Sequence, residues 1–345
     1  MTSNKLRLKN YVSRFTYYFF LTMMVWVLAA CQSSSDCFRE EVFCAALVTD
    51  TLGVEDHGIN QDAWAGLQEA KLNGLADRVE YIASVDARDY SKNIAYFADQ
   101  GYDLIFTSGI ALDNATLQNA DLYPDSVFVG LNQTFEEPRP NLISVTFPED
   151  QMGFAAGVVA TQLTKTGIVA AVCETSGIDS MWRYCEGFRA GVEYANSEIK
   201  VLVVYREDGD REKLFIDEAW GYETGSDLIT RGADVLFAAG GVTGQGALRA
   251  ASEFEVSAIG GERDQANALG ESGKGVVISL YGAAQFEVQE VMREVRAGEV
   301  RADRVGKIEF SALNPSFPPE FSTQMELLLA ALASGELDVN VTDAR

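Results

Sequence analysis

The chain has a single histidine, His57, among its 345 residues, and it contains no CxxC pair. Zinc-type ligand spacing is therefore missing. A Ser-His-Asp triad would have to recruit His57, which lies in a polar loop with no G-x-S-x-G partner elsewhere. No lysine follows a glycine loop in the Walker A manner, and Gly241–Gly246 lacks one. Asp208-Gly209-Asp210 only faintly resembles a calcium loop, because the glycine expected at the sixth position is missing. Basic residues are also scarce: 27 Lys and Arg face 51 Asp and Glu, a formal net charge of −24. A surface that acidic argues against binding a nucleic-acid backbone. These absences point away from a metalloenzyme, a nucleotide hydrolase and a nucleic-acid binder, and no cofactor or metal site is expected.

What is present begins with a distinct N-terminal segment. Lys5, Arg7, Lys9 and Arg14 precede a mostly apolar run of 16 residues, Phe15 to Ala30. A membrane span needs about 20 residues, so the run is short for one. A basic start, an apolar middle and small residues at the end read as a secretory signal over residues 1–30. The ending Leu28-Ala29-Ala30-Cys31 resembles a bacterial lipobox, which implies cleavage and lipidation at Cys31, with residues 31–41 as a tether. An uncleaved anchor helix is the alternative. Cleavage would remove four basic residues and no acid, taking the formal charge from −24 to −28. The only low-complexity stretch is the short serine run Ser33-Ser34-Ser35. Export would allow disulfides to persist. With Cys31 lipidated, Cys37, Cys44, Cys173 and Cys185 remain, an even number. The local pairing Cys37–Cys44 with Cys173–Cys185 is preferred among three connectivities, and buried free thiols remain open.

Along the rest of the chain, short apolar runs alternate with stretches of helical spacing. Strands are expected at Val42–Thr49, Val79–Ala83, Leu104–Thr107, Val127–Leu131 and Leu142–Thr146, with helices at Ala63–Leu75 and Tyr90–Gln100. The alternation resumes with helices at Phe154–Leu163, Met181–Ala195, Tyr222–Arg231, Gly246–Phe254 and Phe286–Ala297. Between them fall strands at Ile168–Cys173, Val201–Tyr205, Val235–Ala238, Ser257–Ile259 and Val276–Leu280. Such alternation implies βαβ units and parallel sheets. Two α/β blocks meeting near Phe147-Pro148 imply two similar doubly wound lobes, although no internal sequence repeat is visible. In open parallel sheets ligands bind beyond the carboxyl ends of strands. That rule singles out the loops with Asp50, Asp56 and Gly58-Ile59-Asn60-Gln61, with Ser108-Gly109 and Asp113, with Gly240-Gly241, and with Glu262 and Asp264.

These loops, in this order, resemble the basic membrane protein family of solute-binding lipoproteins, and within it the purine nucleoside receptor branch. Tyr123-Pro124-Asp125, Lys165-Thr166-Gly167, Gly187-Phe188-Arg189-Ala190-Gly191-Val192, Gly232-Ala233-Asp234-Val235-Leu236-Phe237 and Gly240-Gly241-Val242-Thr243-Gly244 carry the likeness, from about residue 42 to 300. The resemblance implies a type I periplasmic-binding fold with three crossings near Phe147, Gln265 and residues 300–308. Lobe 1 would then be 42–147 plus 266–304, and lobe 2 148–265 plus 305–345. It implies a monomeric receptor, anchored by lipid on the extracytoplasmic face, that hands a nucleoside-like solute to an ABC permease. By the same likeness Asp50, Asn60 and Asp113 would contact base or ribose, Phe215 would stack on the base, and Glu262 or Asp264 would grip ribose hydroxyls. Each has a plainer reading: a loop or helix cap for Asp50, Asn60 and Asp113, core packing for Phe215, a solvated surface acid for Glu262 and Asp264.

Two positions depart from the family pattern. Ile59 stands where many relatives carry an aromatic, and Gly282 falls where a ligand-gripping lysine is usual. A sugar or another small polar metabolite is therefore an alternative solute on the same fold. A sensory lipoprotein uncoupled from transport, and an enzyme that turns its ligand over, are the rival classes.

Overall fold

The computed structural model describes residues 37–210, 213–300, 303–311 and 317–341. The expected leader (1–30), Cys31 and the start of the expected tether lie outside the described residues. Among the described residues no helix is long and apolar enough to cross a membrane.

The apolar runs become strands buried on both faces. β1 (Cys44–Thr49), β3 (Leu104–Ser108) and β8 (Val235–Ala239) are buried at every position. Continuous burial is what helices packed on both faces of a parallel sheet impose. With β2 (Arg78–Ala83), β4 (Val127–Leu131), β5 (Leu142–Thr146) and β11 (Asp303–Val305), the first sheet runs β11-β5-β4-β3-β1-β2. β6 (Ile168–Cys173), β7 (Lys200–Tyr205), β9 (Ser257–Gly261), β10 (Val276–Gly282) and β12 (Ile308–Phe310) complete the second, β12-β10-β9-β8-β6-β7. The two orders are the same, so the lobes repeat one topology that the sequence does not display. All pairings are parallel except β10 with β12.

The chain passes between the sheets three times: after β5 at Phe147-Pro148, after β10 at Gly282-Ala283, and between β11 and β12 at Gly306-Lys307. The second crossing corrects the expectation of one near Gln265. Val276–Leu280 is a fully apolar run apart from Ser279, and it pairs with β9 through Ile278 opposite Ile259, so residues 266–282 belong with the second lobe. The helix that follows, Ala284–Arg296, returns to the first lobe and lies against Ile59–Leu72. There Gln285 and Gln289 donate to Glu69, and a Cβ on Gly66 would stand 2.7 Å from the Gln285 carbonyl oxygen. The first lobe is thus 42–147 plus 283–305.

The crossings converge on one ring. A Cβ on Gly282 would lie 2.4 Å from the Phe147 side chain, and one on Gly306 would lie 2.3 Å from it. Gly306 N–H donates to the Thr146 carbonyl at 2.8 Å, and Ala283 N–H to that of Lys307 at 2.9 Å. Cys37 is bonded to Cys44, and Cys173 to Cys185. The second bridge ties the end of β6 to the helix Asp179–Ala195.

That helix packs on Glu149–Leu163 through glycines at which backbones nearly touch. A Cβ on Gly191 would lie 2.0 Å from the Phe154 carbonyl oxygen, and one on Gly157 2.2 Å from that of Phe188. Added volume here can be accommodated only by moving a helix. Gly191→Ala should therefore lower unfolding stability by about 1–3 kcal/mol. Gly177→Ala, where the nearest atom is 3.7 Å away, should leave it within about 0.5 kcal/mol. Urea unfolding of the two variants checks this.

Candidate functional site

A cavity of about 560 Å³ opens between the lobes at the carboxyl ends of the strands. Each lobe contributes at its topological switch point, where β1 and β3 diverge in one sheet and β6 and β8 in the other.

On the first lobe, Asp50 follows β1 directly. Its Oδ1 accepts from Leu52 N–H and from Asn60 Nδ2, both at 3.0 Å, and Asn60 Nδ2 also donates to the Gly53 carbonyl at 3.0 Å. Asp56 accepts from the N–H groups of Gly58, Asn60 and Gln61, each at 3.0 Å, which satisfies the open start of the helix Ile59–Leu72. Gly109, at φ +107°, brings its loop under Asp50, where a Cβ would stand 2.8 Å from Oδ2. Asp50, Asp56, Ile59, Asn60 and Gly109 all line the cavity.

On the second lobe, Glu262 lies at the end of β9, and its Oε2 accepts from Gly240 N–H at 2.7 Å and Gly241 N–H at 2.8 Å. Phe215 sits at the tip of the loop after β7. Its carbonyl accepts from Val242 N–H at 2.9 Å. Glu174 is fully buried and paired with the equally buried Arg206 at 3.0 Å. Arg206 also donates to the Lys213 carbonyl at 2.8 Å and to Asp208 at 3.0 Å, so it holds the loop from beneath. Phe215, Glu262 and Asn132 all line the cavity, and all have left-handed backbones, with φ of 66°, 68° and 54°. Such conformations cost about 1–3 kcal/mol each and persist only where the surroundings over-determine them.

The cavity therefore gathers Asp50, Ile59, Asn60, Gly109, Phe215, Gly241 and Glu262. Asp113 and Asp264 do not line it. Asp113 begins the helix Asp113–Leu122 and accepts from Asn114 N–H, and Asp264 caps Gln265–Leu269 by accepting from Asn267 N–H. In this structure Asp113 stands at a helix start, its plainer reading, and Asp264 serves as a helix cap. Ser108 is wholly buried, and Gly240 lies outside the lining with its N–H donated to Glu262. Sequence reasoning missed Asn132, just past β4, and Thr146, Phe147, Glu149, Met181, Arg183 and Tyr184, which line the cavity from the first crossing and the first turns of helices.

The lining carries five acids, Asp50, Asp56, Glu149, Asp179 and Glu262, against one base, Arg183. Arg183 is drawn to Asp150 at 2.9 Å. Burial pushes the Asp50 carboxyl up to about 6 and raises those of Asp56 and Glu262. A field of that sign repels phosphates and other anions. Across the cleft mouth Arg263 of the second lobe reaches Asp62 of the first at 3.2 Å and donates to Gln61, which bridges the lobes. Among the described residues no group of three His, Cys, Asp or Glu side chains is placed to hold a metal.

Two α/β lobes of equal topology, joined by three crossings around a cleft, define the type I periplasmic-binding fold. The chain belongs to the Bmp family, described as "ABC transporter substrate-binding protein PnrA-like", whose model matches residues 43–281. It is similar to the CD4+ T-cell-stimulating antigen of Listeria monocytogenes, 31% identical over 298 residues that cover 79% of this chain and 81% of that one. It is 33% identical over 216 residues to the "ABC transporter nucleoside-binding protein BmpA" of Lactococcus lactis, covering 62% and 59%. Among solved structures, the fold is shared with an ABC transporter solute-binding protein of Aeropyrum pernix, with TM-score 0.71, 19% identity, and coverage of 86% and 92%.

The raised Asp50 carboxyl has a consequence for stability. Its folded value, about 6, lies above the unfolded 3.8, so folding loses stability as pH rises between the two and the deficit persists above. Asp50→Asn keeps an acceptor for Leu52 N–H but removes the charge. In urea unfolding without ligand it should be more stable than wild type at pH 7.5, by roughly 1–3 kcal/mol, and equal to it near pH 3.5.

Proposed function

We propose that this protein is an extracytoplasmic, lipid-anchored receptor that binds nucleosides in the interlobe cleft and presents them to an ABC permease. The observation that carries the reading is the set of groups around the cavity: the Phe215 ring on one wall, with the Asp50 and Glu262 carboxylates brought in from opposite lobes. A flat base offers a polarizable face to an aromatic ring. The ribose hydroxyls offer donors that carboxylates accept strongly. A cavity of about 560 Å³ falls in the range of small-molecule sites. The acidic lining favours an uncharged nucleoside over its phosphate esters.

The name of the Lactococcus lactis relative supports the solute class, and the Cys31 sequence supports the anchor. An archaeal relative at 26% identity over 216 residues is named a lipoprotein. The Arg263 bridge is compatible with lobes that close on a solute and reopen, the shape change that a permease reads. The protein would act as a monomer and return its solute unchanged.

The test is a thermal-shift screen of the chain from residue 32 onward against nucleosides, nucleotides, sugars and amino acids. A nucleoside at 100 times its Kd adds about 2.7 kcal/mol, which should raise Tm by roughly 5 °C or more. Phe215→Ala and Asp50→Ala should each weaken the nucleoside at least tenfold by calorimetry, with circular dichroism unchanged. A shift with sugars alone would replace nucleosides with a sugar as the solute.

A further inference from the structure

We propose that Glu149 is a recognition residue of the cleft that works as a neutral acid, donating a hydrogen bond to an acceptor atom of the solute, such as a ring nitrogen or carbonyl of a flat heterocycle. The proposal rests on the nucleoside reading above for the identity of the acceptor.

Glu149 opens the helix Glu149–Leu163, two residues after Phe147, and lines the cavity while being only 7% exposed. It differs from three other acids of the lining. Asp50, Asp56 and Glu262 each accept two or three hydrogen bonds from groups of their own lobe, which fixes them as acceptors. No hydrogen bond from another described residue reaches the Glu149 carboxyl. The nearest cation is Arg183, whose Nε is 3.9 Å away while its Nη2 lies 2.9 Å from Asp150.

The charged and titratable groups around Glu149 are Arg183, Asp179 and Tyr184 on the neighbouring helix Asp179–Ala195, and Asp150 on its own. Glu262 acts on the same Tyr184. Burial dominates and pushes the carboxyl up to about 8, with Asp150 and Asp179 adding to it. Its own N–H and Arg183 pull the other way and do not cancel the shift. A buried carboxylate without hydrogen-bonding partners is costly. A neutral carboxyl gives the acidic wall a donor that a heterocycle acceptor can use. Recognition in that form has a fixed pH signature, because deprotonation removes the donor and adds a repelling charge.

Calorimetry with adenosine, which does not itself titrate in this range, from pH 7 to 9.5 tests the proposal. Wild-type affinity should hold near pH 7 and fall roughly thirtyfold by pH 9.5. Glu149→Ala should bind at least tenfold more weakly at pH 7. Glu149→Gln, which keeps a donor but cannot ionise, should recover most of that loss and hold its affinity to pH 9.5. Infrared spectra of the ligand-free protein at pH 7 should show a protonated carboxyl band that Glu149→Gln removes. Affinity that stays flat or rises with pH, a Gln variant as weak as Ala, or absence of the band overturns the proposal and leaves the nucleoside reading intact. Failure of adenosine, inosine and guanosine to bind at any pH overturns the nucleoside reading, and with it the acceptor named here.

Discussion

The ring of Phe147 is the point on which both lobes and the cleft depend. It sits at the first crossing and packs against Gly282 at the second and Gly306 at the third. Neither glycine could carry a side chain without displacing it. The contact is closed laterally by the hydrogen bonds from Gly306 to Thr146 and from Ala283 to Lys307. Glu287, itself buried, ties in the third crossing by accepting from Lys307 N–H at 3.0 Å and pairing with Arg304 at 3.0 Å. Phe147 and Gly282 also line the cavity. The crossing segments are therefore also part of the cleft wall, so a solute seated there would touch the segments about which the lobes would turn.

The acids of the cleft make sense within that frame. Removing carboxylates from water is expensive unless hydrogen bonds replace hydration. Each lobe supplies those bonds locally: Leu52 and Asn60 for Asp50, the first turn of Ile59–Leu72 for Asp56, and Gly240 and Gly241 for Glu262. None of these three acids relies on the opposite lobe for its partners. Their hydrogen-bond partners would therefore move with them in any change of the angle between lobes. Preorganisation of that kind reduces what a ligand must order on binding.

Much of this was legible in the sequence, and what was not has a consistent cause. Apolar runs marked most of the long strands, the edge strand β2 with its Arg78 and Glu80 excepted, and strand ends pointed to Asp50, Gly109, Gly241 and Glu262. Helices began too late, however. Phe154–Leu163 is Glu149–Leu163 in the structure, Met181–Ala195 is Asp179–Ala195, and Gly246–Phe254 is Gly241–Glu253. Apolar periodicity reports the face a helix buries, and the first turns here face the cleft instead. The polar residues of those turns, Glu149 and Asp179 among them, were thus read as loop and lost as site residues. An acid opening a helix just after a strand and a Phe-Pro was the available signal. The crossing at Gly282 left no such mark, because a strand of the second sheet looks the same as one of the first. Asp113 and Asp264 stand at helix starts outside the cavity lining, and sequence could not separate them from Asp50 and Glu262, because a capping acid and a ligand-gripping acid have the same appearance after a strand.

The buried pair of Glu174 and Arg206 shows how the second lobe secures its half of the site. An ion pair removed from water adds little net stability, and apolar replacements of similar volume are often as good. Its contacts explain its presence better than its energy does. Arg206 reaches Asp208, Asp210, Lys213 and Asp217, along the loop that carries Phe215 and leads into the helix Glu218–Thr230. Apolar side chains could fill that volume but could not bond the Asp210 and Lys213 carbonyls, and the loop that carries Phe215 would lose those ties. The first lobe needs no such rivet, because Asp50 and Asn60 stand on the end of a strand and the start of a long helix. The aromatic wall stands on a loop, and a loop holds a ring in place only when something beneath it is fixed.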